Sequence, residues 1–172
     1  VTTNCLTGGA MYLTEKENKL RVLDVVRASS SLPFVSKIVN VDGIPMLDGG
    51  IVDSIPVQRA IDTGHDFNVV VMTRNYGYRA TGKDYKIPNF IYKKYPRLRV
   101  VLSRRLEVYN AQLQLVENLE REGRVACIRP QRPMDVGRIE KDTTKLEALY
   151  EEGFEEGEKF IENHRAGKFF LG

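Results

Sequence analysis

Short β-forming runs alternate along this chain with runs whose apolar residues recur at helical spacing, and that alternation restricts the fold more than any other feature. Val1 to Cys5 reads as a strand, with Ala10 to Leu13 as its hairpin partner across Gly8-Gly9. Ile38 to Val41 and Pro45 to Leu47 read as two strands around Asp42-Gly43, a strong hairpin dipeptide. Phe67 to Thr73 has the continuous apolar character of a strand buried on both faces, and Val125 to Ile128 is a further strand stopped by Pro130. Between them, Leu20, Leu23, Val26 and Arg27 are spaced for the buried face of a helix over Leu20 to Ala28, which Ser29-Ser30-Ser31 and Pro33 stop. Pro56 opens a short helix over Val57 to Thr63 that Gly64 closes. Leu98, Leu102, Leu106, Tyr109, Leu113 and Val116 predict one long helix from Leu98 to about Glu122, ended by Gly123. Thr144 and Glu147 fit a capping box that opens a last helix with the stripe Leu146, Leu149, Tyr150, Phe154 and Ile161. Strands alternating with helices predict an α/β fold with a mostly parallel core sheet.

At 172 residues the chain suits one domain, or one domain with an extension. Its longest purely apolar run, Val69 to Met72, is far short of the roughly 20 residues that span a bilayer. Cys5 and Cys127 are too few for a disulfide framework and suit a reducing compartment as small buried side chains. The first residues, Val1-Thr2-Thr3, lack an initiator Met, so the chain is expected to start inside a longer gene product. Net charge is +3 but unevenly spread: residues 1–73 carry −2, residues 74–105 carry +9 and residues 106–172 carry −4. Such a belt is a local field and not the footprint of a nucleic-acid-binding chain. Tyr76 to Tyr95, polar, aromatic and basic, reads as a long loop.

The chemistry concentrates in Leu47-Asp48-Gly49-Gly50-Ile51-Val52-Asp53-Ser54-Ile55-Pro56. Asp48 closes a strand, and two glycines let the backbone turn sharply or let another group approach closely. Positive φ is also expected at them. A carboxylate on such a turn is held by backbone N–H groups and can be aimed into a cleft; it can equally be a simple turn cap. Asp48 is expected at the carboxyl end of its strand, facing an open groove. Asp53, a turn further on, reads as a cap, and Ser29, Ser30 and Ser31 as the end of a helix. His65 and His164 are isolated, with no second ligand at metal spacing, and no metal or other cofactor is expected.

Ala28-Ser29-Ser30-Ser31-Leu32-Pro33-Phe34, followed by Gly43-Ile44-Pro45-Met46-Leu47-Asp48-Gly49-Gly50-Ile51-Val52-Asp53-Ser54-Ile55-Pro56-Val57, resembles the bacterial patatin-like phospholipases. The opening Val1-Thr2-Thr3-Asn4, Thr7-Gly8-Gly9-Ala10 and the strand Phe67 to Thr73 fit the same pattern. The resemblance implies the C-terminal portion of a three-layer α/β fold over residues 1–75. The basic loop, long helix, final strand and acidic C-terminal helix of residues 76–172 would pack on the same sheet. It further implies a lipid acyl hydrolase with a Ser–Asp dyad, in which Asp48 takes the nucleophile's proton directly and Gly49 and Gly50 shape the turn. The family's nucleophile lies in a Gly-x-Ser-x-Gly elbow well before that Asp, and no such motif occurs in this chain. The chain taken alone is therefore expected to be inactive. The partner expected is a lipid or ester substrate, in a cytoplasmic protein with peripheral membrane contact through residues 74–105, and with self-association along an uncovered sheet edge. A non-catalytic binding module of the same fold is the alternative. A nucleotide-binding domain is disfavoured, since no phosphate-binding glycine fingerprint is present.

Overall fold

Asn4 makes the first turn. Its side-chain oxygen accepts from the N–H groups of Leu6 (2.8 Å) and Thr7 (3.2 Å), and Gly8 follows at φ 71°. The turn joins β1 (Thr2–Asn4) to β2 (Ala10–Met11) as an antiparallel pair. A second hairpin joins β3 (Val39–Val41) to β4 (Ile44–Asp48) through Asp42 and Gly43, whose φ values of 52° and 81° suit a type I′ turn. The computed structural model describes residues 1–82, 87–137 and 140–165. The chain divides into two compact units, Val1–Pro56 with Ala80–Gln112, and Val57–Arg79 with Leu113–Gly172.

In the first unit β4 also pairs with β1, giving a four-stranded sheet of order β2-β1-β4-β3 that is antiparallel at every step. The fold is mixed α/β, as expected, but the mostly parallel sheet is not what forms. Hairpin links reverse the chain, whereas parallel neighbours need a crossover. The helix α1 (Lys19–Ser29) connects β2 to β3 at opposite edges of the sheet and makes no parallel neighbours. Strand β4 is covered on both faces. Met46 packs with Ala28, Val39 and Val41, while Leu47 packs with Cys5, Ile51, Leu98 and Leu102. Burying each leucine there contributes about 1.5–3 kcal/mol.

Asn18 caps α1 by accepting from Leu20 N and Arg21 N, each at 3.1 Å. The expected buried face of α1 is turned outward: Leu20, Leu23, Val26 and Arg27 are exposed. Ala28 and Val25 pack on the sheet instead, on the face that also carries Arg21. Arg21 reaches Asp42 (2.8 Å) and Glu15 (2.9 Å), which fixes that rotation. The single long helix expected from Leu98 is two helices, α3 (Pro96–Ser103) and α4 (Arg105–Arg121). Arg104 breaks the run at φ −101°, ψ 7°, and Ser103 Oγ donates to Val100 O (2.8 Å), a bond that competes with helical geometry. The stripe itself is inward, with Leu98, Leu102, Leu113 and Val116 buried. Gly123 closes α4 at φ 72°.

In the second unit α2 (Val57–Asp62) leads past Gly64 (φ 90°) to β5 (Asn68–Val71), which pairs in parallel with β6 (Val125–Ile128). Strand β5 is not buried on both faces as expected. Val69 and Val71 are 49% and 72% exposed, because this two-stranded sheet is covered on one side only. Glu117 is buried and held at 2.6 Å by Arg79, whose hydrogen bonds keep the carboxyl below the usual range. The last helix, α5 (Thr143–Arg165), is capped by Asp142, which accepts from Thr144 N (3.0 Å) and Lys145 N (3.4 Å). The expected Thr144–Glu147 box does not form, Asp being the stronger N-cap at the preceding position. No residue of α5 is buried; of its expected stripe, Leu146, Tyr150, Phe154 and Ile161 are exposed and Leu149 is half-buried. Between β5 and α3 no helix or strand occurs among the described residues; residues 83–86 of the expected long loop lie outside them.

Candidate active site

Asp48 is the last residue of β4 and the N-cap of a 3-10 turn over Gly49–Ile51. It is half-buried and held at three points. Its N–H donates to Ser31 O (2.9 Å), its carbonyl accepts from Thr3 Oγ1 (2.7 Å), and its Oδ1 accepts from Gly50 N–H (2.6 Å). Among the described residues Oδ2 carries no hydrogen bond. A carboxylate fixed through one oxygen and open at the other can receive a proton without reorienting.

Of the two reasons expected for these glycines, close approach of another segment holds and positive φ does not. Neither Gly49 nor Gly50 has positive φ. A Cβ on Gly49 would lie 2.5 Å from Val1 O and 2.6 Å from Val1 C, so the strand backbone itself occupies the space. A Cβ on Gly50 would meet Asp48 Oδ1 at 3.0 Å. Gly49 therefore admits β1, and Gly50 admits the carboxylate.

The turn is tied down further by residues that no local sequence pattern marks. Gly50 O accepts from Ser54 Oγ (2.8 Å) and from Arg105 Nε (3.1 Å). Gln112 accepts from the N–H groups of Ser54 (3.0 Å) and Ile55 (3.3 Å) and donates to Asp53 Oδ1 (2.8 Å). Tyr12 donates to Asp53 Oδ2 at 2.5 Å. Asp53 is thus a lateral strut between β2's end and α4, not the cap expected of it. Arg105, Gln112 and Tyr12 lie 41 to 59 residues from their partners, and no local pattern signals such pairs.

The serines before Pro33 are committed to the backbone. Ser29 Oγ donates to Val1 O (2.8 Å), Ser30 Oγ to Val26 O (3.0 Å) and Ser31 Oγ to Arg27 O (2.7 Å). None is poised beside a base, and Ser31 supports Asp48 only through its carbonyl. A cavity of about 540 Å³ lies beside Ser31, lined also by Arg27, Ser30, Ser36 and Lys37. Asp48 does not line it. His65 is exposed and contacts Thr63 Oγ1 and Ala60 O; His164 stacks on Phe160. Burial pushes the Cys5 thiol up to about 11 and that of Cys127 to about 12, so both stay protonated near neutrality. Among the described residues no group of three or more His, Cys, Asp or Glu could hold a metal, and no helix is long and apolar enough to cross a membrane.

Residues 9–61, which include the Asp48 turn, match the patatin-like phospholipase family, a family of lipid hydrolases. Residues 95–167 match a domain of unknown function, DUF6363. Among individual proteins, the chain is similar to the uncharacterized protein YjjU of Escherichia coli (strain K12), at 46% identity over 63 residues. That stretch is 36% of this chain and 17% of the relative, so most of each lies outside the match.

Proposed function

We propose that this chain carries the carboxylate half of a Ser–Asp dyad in a patatin-like lipid acyl hydrolase, with Asp48 as the proton acceptor. The observation that supports it most is the carboxylate itself, at the carboxyl end of β4, fixed by Gly50 N–H through Oδ1 and with no hydrogen bond to Oδ2 among the described residues. In this reading a serine from a preceding part of a longer protein attacks the ester carbonyl while Asp48 Oδ2 takes its proton. The proton passes to the departing alcohol as the acyl–enzyme forms. Water then attacks the acyl–enzyme, with Asp48 again accepting and returning a proton. The chain's own contribution is to hold that base still. Its lack of a Gly-x-Ser-x-Gly favours the second reading, a non-catalytic module of the same family, for a protein that lacks the motif elsewhere.

The test is Asp48→Asn in the full-length gene product, measured for thermal midpoint and for hydrolysis of a p-nitrophenyl ester. Asparagine keeps an oxygen for Gly50 N–H, so the midpoint should hold. Hydrolysis should fall by at least about a hundredfold, the lower end of a positioned base. Full hydrolysis in a well-folded variant would leave Asp48 a turn cap.

A further inference from the structure

Two aromatic residues of the first unit sit in the left-handed region that side-chain-bearing residues seldom adopt, Phe34 at φ 68° and Tyr92 at φ 53°. They hold each other. Tyr92 Oη accepts from Phe34 N–H at 2.8 Å, and the two rings lie 5.7 Å apart, tilted by 44°. The loops that meet at this clasp each present a large apolar side chain to water: Val35 is 82% exposed and Phe90 is 79% exposed. The core of the unit takes Tyr92 and Tyr95 from the second loop and leaves Phe90 out. Both loops are also basic and carry no acidic residue of their own. Residues 31–41 and 85–106 contain no Asp or Glu. Lys37, Lys93, Lys94 and Arg97 are exposed, and none forms an ion pair among the described residues.

We propose that the clasped loops around Phe34–Val35 and Phe90–Lys94 form a docking surface for an anionic lipid bilayer. Exposed apolar and aromatic side chains flanked by lysines suit the headgroup layer, where the apolar groups enter the acyl boundary and the ammonium groups stay among the phosphates. Lysine is depleted at protein–protein interfaces, so lysines set beside Phe90 favour a lipid over a protein partner. The clasp fixes both loops before contact, which limits the ordering lost on docking. The proposal does not depend on Asp48 being a base, because binding is read without hydrolysis.

The experiment is co-sedimentation of the protein with phosphatidylcholine vesicles, with and without phosphatidylserine, each variant first checked for an unchanged thermal melt. Wild type should bind the phosphatidylserine vesicles, more weakly as salt rises. Phe90→Ala should weaken binding about tenfold. Lys93→Gln with Lys94→Gln should weaken it about thirtyfold, at the usual contribution of one basic side chain near an anionic surface. Lys16→Gln with Lys19→Gln, the same charge change elsewhere in this unit, should leave it within about twofold. Equal losses from both lysine pairs would mean diffuse attraction by net charge and would overturn the assignment. So would the absence of wild-type binding, or light scattering showing a dimer that Phe90→Ala dissolves, since the patch would then face a second copy.

Discussion

Replacing Gly49 by alanine isolates what the Asp-Gly-Gly turn requires sterically. The added Cβ would lie 2.5 Å from Val1 O, 2.6 Å from Val1 C and 2.7 Å from Val1 Cβ. Unbonded heavy atoms sit comfortably at about 3.5 Å or more. The obstacle is backbone and β-carbon, not a flexible side-chain end, so β1 must move. That strand is pinned: Thr2 and Thr3 are fully buried, Thr2 faces Asp48 across the ladder, and Val1 O accepts from Ser29 Oγ at 2.8 Å. Overpacking of this kind costs about 1–3 kcal/mol, and loss of the Ser29 bond adds about 1 kcal/mol. For a chain of this size each kcal/mol lowers the melting temperature by about 2–4 °C, so Gly49→Ala should melt roughly 5–15 °C below wild type. Gly50→Ala is the partner experiment. Its Cβ would press on Asp48 Oδ1 at 3.0 Å, a side-chain atom that can rotate away. Its stability should fall by no more than about 1 kcal/mol, a drop of about 2–4 °C in the melt, while the carboxylate leaves its seat. Differential scanning calorimetry of the two variants gives the comparison. A Gly49→Ala melt within about 2 °C of wild type, or a Gly50→Ala melt below that of Gly49→Ala, would refute the steric assignment.

Gln112→Ala should destabilise the first unit by about 2–3 kcal/mol in urea titration, because it strips the N–H groups of Ser54 and Ile55 and one oxygen of Asp53 of a partner at once. Glu117, held below the usual carboxyl range by Arg79, binds protons more readily unfolded than folded. The stability it contributes is fully present above its unfolded value, near 4.3, and is lost as pH falls from there through the lowered folded value. Glu117→Gln should therefore flatten that part of the acid-stability profile, followed by circular dichroism. An unchanged slope would show that the Arg79 pair is not its source.

The parts of this fold legible in the sequence were those decided within a few residues. Asp42-Gly43 predicts a hairpin turn, and both residues have positive φ. Asp48 ends its strand, the 98–116 stripe is inward, and Gly64 and Gly123 follow their helices. In the first unit the expectation of a parallel sheet yields to a contrary signal in the same sequence: hairpins at Gly8-Gly9 and Asp42-Gly43 each dictate antiparallel neighbours. Alternation of strand and helix gives the class but not the pairing. The outward stripes of α1 and α5 show another limit. Helical spacing of Leu20, Leu23 and Val26 marks a face that would gain from burial, and says nothing of which surface meets it. In α1 the Arg21 bonds to Asp42 and Glu15 set the rotation, and neither partner is visible at helical spacing. The same holds for the site, where Gln112 and Arg105 arrive from a helix more than fifty residues away.

A turn cap and a stationed base at Asp48 would differ in what each requires of the residue. A cap needs one bond, from its side chain to a backbone N–H two or three residues on. Asp48 has that bond to Gly50, and its own N–H and carbonyl are also fixed, by Ser31 and Thr3. The turn behind it is held by Ser54 and Arg105 at a single carbonyl. Capping alone would be satisfied by asparagine or serine, with no need for a charge or for an oxygen left open. A base that must accept a proton from an incoming hydroxyl needs both, since a fraction of an ångström in its position alters the transfer. The restraints give position, and only the carboxylate gives basicity. Asp48→Asn keeps the first and removes the second, which is why that single change distinguishes the two roles.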